Sequence, residues 1–417
     1  MSASARPPGA TRRIPDGSVV PAPVPSSLRD AFDSLETAGV AWCLLRGADE
    51  LGRQDGDIDL LVARGDIDRA ALALEKIGFI EHRAWGYEPH RFFLRVSDAG
   101  RSKLDLVDEL RFGQAADVRV PALAGALERR RNDGDLYRLA PADEFWSLLL
   151  HTLLDKPSVE ERHRLSLRRL TAAARAVPIP GLFRTSSDAE AIIDAVENDR
   201  WIEAAAWAKT LSPGATRTGV ARSIARRLGW RMRPLRRRGV TVALLAPDGA
   251  GKTTIVELLA RSFPTPVRSI YMGLYKNPRR RLPPGFGLGA RVGLQWTRYA
   301  RAVYHRLRGR VVLFDRYTDD AALPSGTATG ARDRIRRRVL AGAVPRPDLI
   351  LVLDAPAEEL LRRKGEHDLE KLEGDRRHYL AVAHASPRAA VLDATRPPED
   401  VARAAAARIW AALAARS

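Results

Sequence analysis

The segment VTVALLAPDGAGKTT, which runs from Val240 to Thr254, indicates the fold of the second half of the chain. It opens with a short, continuous run of apolar residues, which is typical of a strand that is buried on both faces. Similar runs recur at Val311–Phe314 and Leu349–Leu353, a shorter one lies at Ala390–Leu392, and helical stretches separate them. Strands that alternate with helices over about 180 residues predict a doubly wound parallel sheet.

The remainder of this segment predicts a phosphate-binding loop between a strand and a helix. It matches the P-loop pattern except at its first position, where Ala246 replaces glycine. Backbone N–H groups of such a loop surround phosphate oxygens, and the helix N-terminus adds its dipole. We expect Lys252 to reach the β- and γ-phosphates of ATP and the hydroxyl of Thr253 to bind Mg²⁺. The residues predicted to contact the nucleotide here are Asp248, Gly249, Ala250, Gly251, Lys252, Thr253 and Thr254.

Over residues 238–417 the chain resembles the thymidylate kinase family of nucleoside monophosphate kinases. The loop APDGAGKTT is close to that family's phosphate loop, and the apolar strand VVLF is followed by Asp315-Arg316-Tyr317, like the family's Asp-Arg-aromatic signature. The resemblance implies ATP-dependent phosphoryl transfer with Lys252, Asp315 and Arg316 as catalytic residues. It also implies that Asp315 binds in the Mg²⁺ environment or receives the acceptor's proton, and that Arg316 holds the acceptor's phosphate or its equivalent.

A basic segment follows the next predicted strand of the same resemblance. The segment is PDLILVLDAPAEELLRRK. Its first part is similar to a strand of the family and ends here in Asp354, and its second part is similar to the helix that leads into the family's basic lid. Positive charge in a mobile lid would stabilise the transferring phosphoryl group. The residues concerned are Arg362 and Arg363, predicted to bind the nucleotide, with Lys364, Arg376 and Arg377. Alternatively, these basic residues are ordinary charged positions at helix ends and do not bind the nucleotide. Asp315 and Arg316 could likewise form a structural ion pair instead of a catalytic site.

The segment before Asp315 departs from the thymidylate kinase pattern. Tyr271 to Arg281 reads YMGLYKNPRRR where the family carries a loop resembling Thr-Arg-Glu-Pro-Gly for its nucleotide acceptor. The resemblance therefore supports the kinase core and leaves the acceptor open. A sugar, a lipid-linked sugar, or another alcohol or phosphate stays an alternative to thymidylate.

An acidic site is predicted in the first part of the chain. Asp57 and Asp59 lie two residues apart on the predicted strand Asp57–Val62, so both side chains point to one face. Asp105 lies on a second apolar strand, Lys103–Val107. Three carboxylates that converge from neighbouring strands repel one another unless cations neutralise them. Two Mg²⁺ ions held in this way activate a hydroxyl and hold a leaving pyrophosphate.

With a turn at Gly47, these residues resemble the DNA polymerase β-type nucleotidyltransferases over residues 27–130. The resemblance implies that Asp57, Asp59 and Asp105 bind Mg²⁺ and are catalytic. Ala48 departs from the pattern, because the family usually has a second glycine or a serine that touches phosphate. Alternatively, the three aspartates are solvated acidic residues at a strand edge, or the chain retains the nucleotidyltransferase fold without catalysis. His90 and His151 are further candidates for contact with substrate or phosphate, or else ordinary structural histidines.

Length and composition limit the class of protein. A chain of 417 residues predicts two or three domains, and its 45% hydrophobic and 29% charged residues are close to a soluble globular average. The domains expected are a disordered tail at 1–25, a nucleotidyltransferase-like domain at 26–130, a helical extension with a basic connector at 131–237, and a kinase-like domain at 238–417. The absence of a long apolar run, the lack of a secretory signal pattern, and a single cysteine, Cys43, favour a cytoplasmic protein with no membrane span.

The net charge of +18 indicates affinity for polyanions, although only eight of the 69 basic residues are lysine, which is also typical of a compositional bias. The stretch Arg222–Arg238 holds eight arginines and predicts either an anion- or membrane-facing helix or a solvated connector.

The leading hypothesis is a kinase fused to a nucleotidyltransferase that acts on the same or a related small molecule. The alternatives are a nucleic-acid end-processing enzyme, not favoured because no basic patch is interleaved with aromatics, and a catalytically decayed nucleotide-binding regulator. Thymidylate kinases tend to form dimers, so a homodimer stays open.

Overall fold

The computed structural model describes residues 24–46, 51, 57–82, 89–113, 118–156, 158–177, 186–211, 239–273, 287–318, 335, 338–364 and 368–416. The chain divides into two compact units, with the main boundary between Arg233 and Pro234. Most of the predicted tail, the turn at Gly47 and Ala48, and the basic stretch Arg222–Arg238 lie outside the described residues.

The first unit combines a mixed sheet with two groups of helices. Its strands are β1 (Trp42–Leu44), β2 (Asp57–Val62), β3 (Ile80–His82), β4 (Arg91–Ser97), β5 (Gly100–Val107), β6 (Arg111–Phe112), β7 (Val118–Arg119), β8 (Arg131–Asp133) and β9 (Leu136–Arg138). Its α-helices are α1 (Ser26–Thr37), α2 (Ile67–Lys76), α3 (Pro141–Leu150), α4 (Glu161–Ala176), α5 (Ser186–Glu197) and α6 (Trp201–Thr210). A π-helical turn, His151–Asp155, continues α3.

The main sheet of this unit has seven strands in the order β3-β4-β5-β2-β1-β9-β8. It is mixed, because β2 runs parallel to β5 and antiparallel to β1. The predicted strand Asp57–Val62 is confirmed with the same bounds. Helices α1 and α2 pack on the sheet through a buried core that includes Phe32, Leu74 and Trp42, and the rings of Phe32 and Trp42 stack at 4.4 Å. This core fixes β2 and β5 side by side in the middle of the sheet.

The helices from α3 to α6 form a second core in the same unit. Phe145 and Trp146 of α3 are fully buried against Ile193 and Val196 of α5. The predicted helix that starts at Pro141 is confirmed, and it ends in the π-helical turn rather than continuing as a regular helix to Asp155. This turn carries His151, one of the residues singled out from the sequence.

The second unit is a parallel sheet with helices on both faces. Its strands are β10 (Thr241–Leu245), β11 (Val267–Tyr271), β12 (Val311–Asp315), β13 (Leu349–Asp354) and β14 (Ala389–Asp393). Its helices are α7 (Lys252–Ser262), α8 (Gly287–Leu307), α9 (Ala357–Lys364), α10 (Leu369–His384) and α11 (Pro398–Ala414). The strand order is β11-β12-β10-β13-β14, and every neighbouring pair is parallel. The predicted parallel α/β sheet is confirmed.

Packing on the two faces explains why β10, β12 and β13 are continuous apolar runs. On one face Ala243 and Phe314 pack with Ala302 of α8 and Tyr379 of α10. A separate contact joins Phe263, which follows α7, to Trp410 of α11, with ring centroids 6.0 Å apart. Every residue of β10 is therefore buried. Within the described part of the chain, none of the helices combines the length and the apolar character that a membrane crossing requires.

Candidate functional site

The loop between β10 and α7 has the backbone geometry that its glycines predict. Gly249 and Gly251 have φ angles of +91° and +84°, in the left-handed region that a side chain strains. Ala246 behaves differently, because among the described residues other than glycine only Asp199 and Arg316 have a positive φ. The alanine at the first position of the motif is therefore compatible with the turn. Helix α7 begins directly after this loop, and its first N–H groups have no preceding helical turn to accept from them.

Lys252, the first residue of α7, lies across the same loop. Its Nζ donates to the backbone carbonyl of Ala246 at 2.5 Å and to that of Pro247 at 2.9 Å. The same atom lies 3.8 Å from Oδ1 of Asp248. Thr253, one residue further along the helix, is exposed. A cation and a hydroxyl thus lie beside the turn where phosphate oxygens are predicted to bind.

The strand next to this loop ends in Asp315 and Arg316. Asp315 is half-buried and lies opposite Leu244 on one side and Tyr271 on the other, so it is at the carboxyl end of three neighbouring strands. Arg316 has a φ of +61° and donates from Nη2 to Oδ1 of Asp248 at 2.7 Å. A left-handed arginine stores backbone strain of a kind that is concentrated at functional sites. The guanidinium therefore joins the strand end to the loop.

Helix α8 adds two polar side chains to this edge that sequence reasoning missed. Gln295 is 1% exposed and donates from Nε2 to the carbonyl of Met272 at 3.0 Å, while its Oε1 is buried without a hydrogen-bond partner. Arg298 donates to the carbonyl of Gly273 at 3.0 Å, and its guanidinium lies 5.5 Å from the ring centroid of Tyr271. Burial lowers the pKa of Arg298, and Tyr271 opposes that shift. No signal in the sequence separates these two residues from the other polar positions of an arginine-rich helix.

The predicted lid residues bond to neighbours in the helices and at the strand ends. Arg376 forms a two-pronged pair with Asp354, at 2.6 Å and 3.0 Å, and this bonding raises its pKa. Arg362 and Arg363 both bond to Glu359, and Arg363 also donates to the carbonyl of Ala394 at 3.0 Å. Arg377 lies 3.9 Å from a carboxylate oxygen of Glu373. The side chain of Lys364 lies outside the described residues.

In the first unit, two of the predicted carboxylates lie side by side. Strands β2 and β5 pair so that Asp59 is opposite Asp105, and Asp57 is opposite Lys103. Since opposite residues of paired strands point to the same face, the predicted acidic face is present. Burial is the main cause that raises the pKa of Asp105.

Each carboxylate of this face bonds to a nitrogen atom of a protein side chain. Asp57 accepts from Lys103 at 2.5 Å and Asp59 from Arg46 at 2.6 Å, while Nδ1 of His90 lies 2.9 Å from Oδ2 of Asp105. Among the residues that the structure describes, no three or more His, Cys, Asp and Glu side chains are arranged to hold a metal ion. The observed arrangement of these three carboxylates does not fit a metal centre with three carboxylate ligands. The metal roles of Asp57, Asp59 and Asp105 stay a prediction.

Comparison with known proteins gives only structural similarity of a low degree. No protein-family model matches the chain, and no curated protein matches it. Among solved structures, the thymidylate kinase of Candida albicans is similar over 40% of this chain and 88% of its own length, with 18% identity and a TM-score of 0.32. The fold of the second unit is therefore assigned from its own strand order and register.

Proposed function

We propose that the second unit is a phosphotransferase of the nucleotide-kinase type, which moves the γ-phosphoryl group of ATP to a small acceptor. The observation that carries this proposal is the meeting of Lys252, Asp248 and Arg316 around the loop between β10 and α7. In open parallel sheets, ligands bind at the carboxyl ends of the strands where the strand order reverses. Strand β10 lies at that point, between β12 and β13.

The loop residues account for binding of the triphosphate. The N–H groups at the start of α7 would donate to phosphate oxygens, and Lys252 would exchange its two carbonyl bonds for charge-assisted bonds to the β- and γ-phosphates. The oxygen ligands that Mg²⁺ prefers are present as the hydroxyl of Thr253 and the carboxylate of Asp315, and these two residues would hold it. When Mg²⁺ is bound, it neutralises part of the negative charge of the phosphates.

The acceptor would lie on the β11 side of Asp315. The carboxylate of Asp315 would orient the acceptor hydroxyl and receive its proton, and Arg316 would hold negative charge near the transferring group. Gln295 offers a buried carbonyl oxygen without a hydrogen-bond partner at this edge, and Arg298 offers a desolvated cation beside Tyr271. These groups favour a polar acceptor, and thymidylate is one candidate among nucleotides, sugars and other alcohols.

Transfer of radiolabel from γ-labelled ATP tests this function on the full chain. The acceptors are a panel of nucleoside monophosphates and free sugars, each with Mg²⁺. We expect ADP and one labelled product from the wild type, and loss of about 100-fold or more in the rate for Lys252→Ala, because one electrostatic contact to the transferring group contributes that much. The control is Lys209→Ala, at an exposed lysine of α6. Equal rates for Lys252→Ala and the wild type would overturn the proposal.

A second candidate function, nucleotidyl transfer by the first unit, is supported by one specific observation. Asp59 and Asp105 lie opposite each other on parallel neighbouring strands, with Asp57 on the same face. The test is release of nucleoside monophosphate and pyrophosphate from each of the four nucleoside triphosphates. We expect Asp59→Asn to abolish release and Asp33→Asn, an exposed residue of α1, to leave it unchanged. Product analysis with both nucleotide sites intact tests whether the two reactions act on one molecule in sequence.

A further inference from the structure

Helix α8 of the second unit directs several of its large apolar side chains away from the protein core. Gln295 and Ala302, on the side of the helix that faces the sheet, are buried. Trp296, Tyr304 and Leu307 are instead 49%, 51% and 62% exposed. A surface helix usually directs its apolar residues toward the core and its polar residues outward. Helix α8 therefore carries an apolar surface that the core of the second unit does not use.

These exposed side chains form a continuous stripe on one side of the helix. Trp296, Ala300, Tyr304 and Leu307 follow one another at spacings of four, four and three residues, and all four are exposed. We call these four residues the α8 stripe. At a rise of about 1.5 Å per residue, the stripe is about 16 Å long. Single exposed apolar residues are common, whereas a contiguous apolar surface marks a place where a protein or a membrane binds.

The charge beside the α8 stripe is positive. The sequence of α8 contains four arginines and no aspartate or glutamate. Arg301 lies three residues before Tyr304, so it borders the stripe, and Arg308 follows the end of the helix with its guanidinium 5.0 Å from the ring centroid of Tyr304. Both arginines are exposed, and neither forms an ion pair with a carboxylate in the described part of the chain. Apolar, aromatic and cationic groups therefore occupy one surface.

This combination distinguishes between the possible partners of the surface. In a symmetric dimer the same patch meets itself, which would place these arginines against one another. A nucleic acid would stack its bases on open ring faces, but Arg308 already lies over the ring of Tyr304, and Ala300 and Leu307 are aliphatic. A lipid surface with anionic headgroups suits every group, because phosphates attract arginines, while Trp and Tyr rings prefer the boundary between headgroups and acyl chains.

We propose that the α8 stripe is the site by which the second unit lies on a membrane surface that contains anionic phospholipid. Trp296, Tyr304 and Leu307 enter the boundary between headgroups and acyl chains, and Arg301 and Arg308 bind lipid phosphates. The helix lies in the plane of the surface and does not cross it. This inference does not depend on the phosphotransferase function, because none of these five residues belongs to the candidate nucleotide loop.

The experiment measures sedimentation of the full chain with vesicles of phosphatidylcholine alone, and of phosphatidylcholine and phosphatidylglycerol in equal parts. The net charge of +18 attracts the protein to any anionic vesicle, so variants of equal net charge are compared. Leu307→Glu is matched with Ile202→Glu, which changes an even more exposed aliphatic residue, on α6. Thermal unfolding shows whether each variant is folded.

We expect the mixed vesicles to bind the wild type more tightly than phosphatidylcholine alone. Leu307→Glu should weaken this binding by about tenfold or more, because it removes an apolar contact and adds a negative charge at the lipid surface. Ile202→Glu should stay within about twofold of the wild type, because a charge farther than the Debye length from the surface is screened.

A pair of double variants tests the contribution of the arginines. Arg301→Gln/Arg308→Gln should weaken binding to the mixed vesicles by about 30-fold, because each basic residue near an anionic surface contributes about fivefold. The control of equal charge is Arg403→Gln/Arg408→Gln, at exposed arginines of α11, and it should bind nearly as the wild type does.

Entry of Trp296 into the lipid is measured separately, with phosphatidylcholine brominated on its acyl chains in the mixed vesicles. Bromine quenches the fluorescence of a tryptophan that enters the bilayer. We expect quenching in the wild type and less quenching in Trp296→Phe, which keeps an apolar ring and should still bind. Equal quenching in both proteins would contradict the proposed entry of Trp296.

The proposal is overturned if Leu307→Glu and the Arg301/Arg308 variant each bind vesicles as their controls do, because overall charge then explains the binding. It is also overturned if the wild type is a dimer without lipid and Leu307→Glu is a monomer by sedimentation velocity, because the stripe is then an interface between copies. A third contrary result is binding of a labelled single-stranded oligonucleotide that Leu307→Glu weakens as much as it weakens vesicle binding. The surface would then be a nucleic-acid site.

Discussion

Arg316 and Asp248, 68 residues apart in the chain, are joined by a 2.7 Å hydrogen bond between the end of strand β12 and the loop that precedes helix α7. Both side chains are only 28% exposed, so solvent screens this ion pair less than one at the surface. The bond holds the loop against the strand end that carries Asp315. In the proposed phosphotransferase, this contact positions the nucleotide loop relative to the acceptor side.

The left-handed backbone of Arg316 gives a prediction about stability. Arg316→Ala and Arg316→Gly both remove the bond to Asp248, and only glycine relieves the strain of a φ of +61°. We expect the glycine variant to be more stable than the alanine variant by about 1 kcal/mol, although both reduce phosphoryl transfer. Urea denaturation of the two variants measures the difference. Equal stability of the two would argue against strain at this residue.

Ala246 should tolerate its position without loss of function. Because it lies outside the positive-φ region, restoring the glycine of the motif with Ala246→Gly should leave MgATP affinity unchanged and lower stability by about 0.5–1 kcal/mol. The matched variant Gly251→Ala, at a φ of +84°, should weaken MgATP binding. Isothermal titration calorimetry measures both affinities. A gain of tenfold or more for Ala246→Gly would mean that alanine distorts the loop.

The pair between Arg376 and Asp354 should contribute measurably to the stability of the second unit. Its geometry is two-pronged, but the side chains are 27% and 22% exposed, so solvent screens part of the interaction. We expect Asp354→Asn to cost about 1–2 kcal/mol, and Arg377→Ala, whose pair is long and exposed, to cost less than about 0.5 kcal/mol. Denaturant unfolding of Asp354→Asn, Arg376→Gln and the double variant measures the coupling energy between these two side chains. A coupling energy near zero would contradict this assignment.

The thiol of Cys43 should be unreactive in the folded protein. Burial raises its pKa to about 12, with a smaller opposing effect from Arg130 and a supporting one from Asp143. Thiolate is the reactive form, so labelling by a disulfide reagent should stay slow between pH 7 and 9 and become fast only in denaturant. The absorbance of the released thiol follows the reaction. Fast labelling of the native protein would show that β1 opens locally.

Strands β12 and β13 were predictable because burial on both faces leaves an apolar pattern, and Val311–Phe314 lies within β12 and Leu349–Leu353 within β13. The shorter apolar run Ala390–Leu392 lies within β14, where only Leu392 is buried. Strand β11 was not predicted, because Val267–Tyr271 carries exposed Arg268 and Ser269 and resembles a loop. The hairpin of β8 and β9 was missed for a similar reason, since β8 is exposed along its length.

Only those residues of the candidate sites that belong to short sequence motifs were predictable from the sequence. The glycine turns, Lys252 and the Asp-Arg pair follow from residues within a short segment, so the sequence indicated their neighbourhood. The partner of Arg316 did not follow, because the Asp248 contact spans 68 residues and depends on strand order. Gln295 and Arg298 reach the β11 edge from a different helix, and Asp155, the hydrogen-bond partner of His151, accepts from the distant N–H of Gly113. Such contacts depend on tertiary packing and leave no periodic signal in the chain.

Thermal unfolding with MgATP of the wild type, Lys252→Ala and the control Lys209→Ala tests whether the loop between β10 and α7 binds the nucleotide. Ligand at about 100 times its Kd stabilises a binding unit by roughly 2.7 kcal/mol, which is enough to move the melting transition by several degrees. We predict a rise in the Tm of the wild type and of Lys209→Ala, and a smaller rise for Lys252→Ala, which keeps only the candidate nucleotide site of the first unit. The same rise in all three proteins, or no rise in the wild type at saturating MgATP, would contradict the assignment of this loop as the nucleotide site.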